Sequence, residues 1–226
     1  MSFDAGQQAR AASRPSRAGR SGPLQVLAVS ALALVLGGCS VIDKPVRAAV
    51  YDFGPGPLAE APAGRADLPA LTLAAVDAGA ALDSTAVLYR LSYANAQQLL
   101  PYAQARWSMV PAELLRQRLR ERIGQQRTVL GPDDAHPGSD PVRWVLRVEL
   151  EEFSQLFSAP AQSMGLVRLR ATLVQSTVRG DRLVGQRMVV AQRPASSADA
   201  PGGVRALGEA TDAAVDELLQ WLSQQR

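Results

Sequence analysis

An α+β domain is what this sequence predicts: an antiparallel or mixed sheet packed against amphipathic helices at about 111–123 and 204–222. Three observations predict it. Residues 143–191 hold three runs in which apolar and polar positions alternate, joined by short connections. Two other segments, Pro111–Ile123 and Val204–Leu222, carry apolar residues at helical spacing. Beyond residue 38 the chain still has 188 residues, enough for one well-buried core.

The first 38 residues read differently from the rest. Arg10, Arg14, Arg17 and Arg20 stand against a single Asp4, and Leu24–Leu36 is apolar apart from Gln25 and Ser30. At ~1.5 Å per residue these 13 positions are too short for a hydrocarbon core of about 30 Å. A basic start, a short apolar stretch and small residues make a secretory signal. The sequence Leu36-Gly37-Gly38-Cys39-Ser40 resembles a bacterial lipoprotein lipobox of the Leu-x-Gly-Cys kind. That resemblance implies cleavage between Gly38 and Cys39, with a diacylglycerol and an N-acyl chain on Cys39. The expected organisation is a signal peptide at 1–38, a lipidated end and tether at 39–47, and one domain at 48–226.

The formal charge of +3 belongs to the leader: the remainder carries 20 basic and 20 acidic side chains. A nucleic-acid partner would call for a basic stripe, and none is expected. Cys39 is the only cysteine, so with it lipidated neither disulfides nor thiolate metal sites remain.

The elements follow in order. Ala48–Phe53 is a first strand, stopped by Gly54-Pro55-Gly56-Pro57, and a Pro/Ala/Gly-rich loop runs to Pro69. Leu71–Val76 and Ala86–Tyr93 are the next strands, the second alternating Leu88, Arg90 and Ser92 against Tyr89, Leu91 and Tyr93. Pro111 suits a first helical turn, and Ala112, Leu115, Leu119 and Ile123 share one face before Gly124 closes the helix. Arg116, Arg118, Arg120 and Arg122 read as a solvated face favoured by the helix dipole. Gly131–Pro141 is a loop.

Trp144, Leu146, Val148 and Leu150 then face one way, with Arg147, Glu149 and Glu151 opposite. Val167, Leu169, Ala171 and Leu173 repeat the pattern against Arg168 and Arg170, and Leu183–Ala191 forms the third strand. Cross-strand pairing of Glu149 and Glu151 with Arg168 and Arg170 is expected. Arg193–Gly203 reads as a loop. The closing helix carries the stripe Val204, Leu207, Thr211, Ala214, Leu218 and Trp221, with Gly208 marking a close approach to the sheet.

Chemistry is scarce. His136, the only histidine, lies in a loop beside Asp133 and Asp134, which makes a poor metal site and a poor catalytic base. Glu149 and Glu151 sit on a wet face beside arginines, which favours ordinary ionised carboxylates. No P-loop is present. The expectation is no enzyme, no metal and no cofactor beyond the lipid on Cys39.

One segment carries a family resemblance. The run Leu88–Tyr93, then Tyr102-Ala103-Gln104-Ala105-Arg106-Trp107, then Pro111 and Leu114-Leu115, resembles the ABC-type transport auxiliary lipoproteins, the PqiC-like family. The sharpest part is Tyr102-xxx-Arg106-Trp107-xxx-Pro111, and Tyr51-Asp52-Phe53-Gly54-Pro55 is similar to the family's opening strand. The resemblance implies a non-catalytic subunit working with an MCE-domain protein, an ABC permease and an ATPase in lipid transport. It also implies anchorage in the outer membrane, facing the periplasm, with Ser40 consistent with that sorting. Tyr102, Arg106, Trp107 and Pro111 are then either a latch locking helix to sheet or a partner-docking surface. Self-association stays open. The rival readings are a structural or assembly lipoprotein acting on outer-membrane proteins or lipopolysaccharide, and a periplasmic lipid carrier.

Overall fold

A computed structural model describes residues 47–56, 68–134 and 142–225. Gly38, Cys39 and the leader lie outside the described residues, as does His136. The sheet is mixed, as one of the two expected forms. Its spine is a long antiparallel meander of β6 (Arg143–Ala159), β7 (Gln162–Thr177) and β8 (Gly180–Pro194). Both connections are two-residue turns, and Gly180 after the second takes φ +120°, a conformation that favours glycine.

The other edge of β6 is shared by two parallel strands. β2 (Leu71–Ala78) pairs along Trp144–Leu150, and β3 (Ala86–Leu91) pairs along Gln155–Phe157. β4 (Ala96–Trp107) runs antiparallel to β3, β1 (Ala49–Tyr51) lies parallel to β4, and β5 (Val129–Leu130) lies parallel to β2. The expected strand Ala86–Tyr93 stops at Leu91. Residues Ser92–Asn95 instead make one helical turn, α1, where the Ser92 hydroxyl donates to the Phe157 carbonyl at 2.6 Å.

The two main helices cover one face. α2 (Pro111–Gly124) packs on β2, and α3 (Ala200–Ser223) lies across β6, β7 and β8 and touches α2. Between them and the sheet sit Leu71, Leu146, Leu150, Leu169, Leu173, Leu207 and Leu218, all with 2% exposure or less. The alternation of β6 and β7 supplies this layer, and the stripe of α3 closes it. On the opposite face Arg170 pairs with Glu151 at 2.6 Å and Glu149 at 3.8 Å, and Arg168 with Glu151 at 3.2 Å, as expected.

Four expectations need correction. α3 starts at Ala200 rather than Val204: Asp199 caps it by accepting from the Gly202 amide at 2.8 Å, with Pro201 in the first turn. α2 runs through Gly124 and is capped at Gln125. Gly208 marks no close approach, since a side chain there would meet nothing within 4 Å. The sheet glycine Gly165 does, because a Cβ on it would fall 2.6 Å from the Ala206 carbonyl oxygen of α3. Fourth, Arg118 is not on a solvated face but is 3% exposed.

Candidate functional site

β4 delivers three of the four motif residues, and α2 begins with the fourth. Trp107 ends β4, donates its amide to the Thr85 carbonyl at 2.7 Å and is 2% exposed. Its ring lies 5.7 Å from Phe53 and 5.5 Å from Phe153 in inclined, edge-on geometries. Tyr51 of β1 pairs beside it, and the Ser108 amide reaches the Tyr51 carbonyl at 2.7 Å. This wedge joins β1, β4 and β6. The indole N–H is buried without a hydrogen-bond acceptor, which costs about 1–3 kcal/mol. Pro111 is buried at the first position of α2, where its missing N–H loses nothing.

Tyr102 lies in a wide bulge. Arg106 pairs with Ala86 and Pro101 with Leu88, so residues 102–105 stand opposite Val87 alone. The Tyr102 hydroxyl donates to Gln155 Oε1 at 2.8 Å, Gln155 Nε2 donates to Ser163 Oγ at 2.8 Å, and the Tyr102 ring lies 4.6 Å from Tyr89. Burial, then Tyr89 and Asp199, push the Tyr102 hydroxyl up to about 12. Gly203 of α3 sits so close to Gln155 that a Cβ there would overlap its side-chain amide. Arg106 donates to the carbonyls of Tyr102 and Ala105, which closes the bulge. Tyr102 and Trp107 therefore belong to separate aromatic groups, with Tyr89 and Phe157 around one and Phe53 and Phe153 around the other.

Two polar clusters were not anticipated. Arg118 Nη2 donates to the Phe53 carbonyl at 2.8 Å, Nη1 reaches Glu121 at 3.3 Å, and Nε lies 3.1 Å from Asp212 Oδ1 as an ion pair. One guanidinium thus ties α2, α3 and the segment after β1. Burial raises the Asp212 carboxyl against the opposing pull of Arg118. The signal was available: Pro111, Leu114, Leu115 and Arg118 fall on one helical stripe. The second cluster arises at a bulge in β6 between Leu150 and Glu152, which turns the following residues over. Glu152, 8% exposed, takes both Nε and Nη2 of Arg90 at 3.3 and 3.0 Å and the Ser154 hydroxyl at 2.7 Å.

In chemical terms these groups hold one another. Among the described residues no group of three or more His, Cys, Asp or Glu could hold a metal ion, and no helix is long and apolar enough to cross a membrane.

Comparison with known proteins gives the following. No curated protein matches the chain. The crystal structure of a Xanthomonas campestris protein superposes with a TM-score of 0.57 at 20% identity, over 68% of this chain and 83% of that one. A second crystal structure, of an uncharacterized protein, gives 0.52 at 13% identity, over 78% of this chain and 99% of that one. At these identities the likeness is one of fold. The family model described as "ABC-type transport auxiliary lipoprotein component" matches residues 51–218, from the last residue of β1 through most of α3. The chain belongs to this family of auxiliary lipoproteins of ABC-type transport.

Proposed function

We propose that this chain is a non-catalytic, outer-membrane-anchored subunit of an MCE-type ABC lipid transport system. The observation that carries the reading is the family match over 51–218 together with the lipobox-like Leu36-Gly37-Gly38-Cys39, whose cysteine lies twelve residues upstream of it. In this reading residues 1–38 are removed, Cys39 takes a diacylglycerol and an N-acyl chain, and residues 39–47 tether the domain over 48–226. Several acyl chains at ~0.8 kcal/mol per buried CH₂ hold such a protein stably. A short tether keeps the domain against its membrane, where it docks with the MCE protein that works with the permease and ATPase.

The polar chemistry favours docking over catalysis. Tyr102, Arg106, Arg118, Glu152 and Gln155 are each bonded within the domain, so none is poised as a free acid, base or nucleophile. Trp107 and Pro111 fit the latch role, fixing β1 and α2 against the sheet, while Tyr102 ties β4 to β6 through Gln155 and Arg106 holds the bulge of β4 itself.

Crosslinking in intact envelopes, followed by affinity purification of the full chain, tests the reading. Repeated recovery of an MCE protein with its permease is the expected result. Crosslinks to a β-barrel without any MCE protein would overturn it in favour of an assembly lipoprotein. Cys39→Ala should leave a folded, mislocalised protein with its leader uncut, and a mature outer-membrane form of that variant would defeat the anchoring step.

A further inference from the structure

At the end of the sheet away from Tyr102 and Gln155, the fold leaves a cavity of about 250 Å³. Its apolar walls are Leu68, Pro69, Trp144, Leu173 and Leu222, from the approach to β2, the start of β6, the end of β7 and the end of α3. Arg127, three residues past α2 and only 9% exposed, and Gln225 after α3 also line it. The Arg127 side chain has no hydrogen bond or ion pair among the described residues, unlike the buried Arg118 and the half-buried Arg90. Burial lowers its pKa, and among the described residues no carboxylate acts in the other direction. The carbonyl end of α2 favours a cation at this place but supplies no ion pair.

An apolar pocket with one convergent charge is the usual construction of a small-molecule site. We propose that this cavity binds a single-chain anionic amphiphile, with the chain among Trp144, Leu173 and Leu222 and the anionic head on Arg127. A free inorganic anion would gain nothing from the apolar walls, and a neutral chain would give the guanidinium no counter-charge. The volume is below the ~300–1,000 Å³ of sites for drug-sized ligands, so it takes the head-proximal part of one chain. Trp144 and Gln155 are eleven residues apart on β6, on the order of 35 Å, so the cavity and the Tyr102 cluster are separate places.

The full-length chain in its own membranes is labelled with a photoactivatable twelve-carbon fatty acid, and the crosslinked peptides are mapped by mass spectrometry. The label is expected on peptides containing Trp144, Leu173 or Leu222. Excess dodecanoate should displace it at concentrations at least about tenfold below those needed for dodecanol or acetate. Arg127→Gln should raise the dodecanoate concentration needed by at least about tenfold while the melting temperature stays near that of the wild type. Equal competition by dodecanoate and dodecanol, labelling spread over the outer surface, or wild-type competition in Arg127→Gln would each overturn the proposal. If Arg127→Gln fails to fold, Leu68→Trp decides: it narrows the mouth, so labelling should fall several-fold, and undiminished labelling overturns the site. No transport partner takes part, so failure here leaves the proposed function standing, and failure of that function leaves the cavity standing.

Discussion

The two halves of β6, on either side of the bulge after Leu150, are held in place by different physics. Before it, Leu146, Val148 and Leu150 enter the core while Arg147 and Glu149 face out, and the strand is held by apolar burial. After it, Phe153, Gln155 and Phe157 turn toward the helices, Glu152 and Ser154 toward the other face, and all five are buried. Here the aromatic packing of Phe153 and Phe157 is joined by directed polar bonds to partners far along the chain: Arg90 to Glu152, Tyr102 to Gln155, Ser92 to Phe157. The buried positions of the first half should tolerate apolar replacements that conserve volume. In the second, removing one partner strands another in a dry place.

The sharpest test of that difference is steric. Gly165 pairs with Gln155 in the second half and lets the α3 backbone come down on the sheet. Gly165→Val should cost about 3 kcal/mol or more, because the obstacle is helix backbone rather than a flexible side chain. In a domain of this size the unfolding midpoint should fall by roughly 6–12 °C. Gly208→Ala, in open space on α3, should instead gain up to about 1 kcal/mol. Similar behaviour of the two glycines in thermal melts would show that the close approach at Gly165 is not needed.

The next effect is electrostatic. Arg90→Met removes the partner of Glu152, whose side chain is 11% exposed, and should cost about 2–3 kcal/mol, below the value for a fully buried pair because Arg90 is 21% exposed. Arg90→Met with Glu152→Leu should recover much of that loss, since the charge left behind is then gone. On the open face, Arg147→Met removes the partner of Asp181 and should leave the midpoint almost unchanged. Chemical denaturation of the three variants measures the contrast, and a double variant no better than Arg90→Met would refute it.

How much of this was legible in the sequence follows the same division. The β6–β8 meander, β2, α2 and the stripe of α3 were readable because each rests on a local period, and the Tyr102-xxx-Arg106-Trp107-xxx-Pro111 spacing pointed to the family. β4 as a strand was not. Ala96-Gln97-Gln98-Leu99-Leu100-Pro101 has no alternation and little β propensity, and its strand form rests on the pairing of Leu100 and Pro101 with β3. The bulge in β6 was hidden for a related reason: Glu151-Glu152 looks like two wet carboxylates until Arg90, 62 positions earlier, comes to meet the second. The Trp107 wedge was foreseen between helix and sheet, but its aromatic partners Phe53 and Phe153 depend on long-range closure.

Trp107 offers a subtler probe. Trp107→Ala should cost about 3–5 kcal/mol through the void it leaves. Trp107→Phe also loses volume, but it removes a buried donor that has no acceptor. The two effects offset, so Trp107→Phe should cost under about 1.5 kcal/mol. Equilibrium unfolding of both variants checks the pair. A Phe variant as damaged as the Ala variant would mean that the indole N–H is bonded in solution.

The smallest effect separates the halves by pH. The Tyr102 hydroxyl is raised from 10.0 to about 12, so between those values the folded chain keeps a proton that the unfolded chain has lost. Stability from this group is therefore fully present below pH 10 and is lost as pH rises toward 12. Tyr102→Phe keeps the ring against Tyr89 but leaves the buried Gln155 Oε1 without its donor, while Gln155 Nε2 keeps Ser163, so its cost at neutral pH should be about 1 kcal/mol, the low end for an orphaned acceptor because Tyr102 is half-buried. Because Phe cannot ionise, the variant should also lose less stability than the wild type between pH 10 and 12, and the two melting curves should converge there. Parallel curves would mean that the hydroxyl is solvated and that Gln155 does not depend on it. Convergence would place the Tyr102–Gln155–Ser163 chain among the bonds that hold the second half of β6 where apolar burial alone does not.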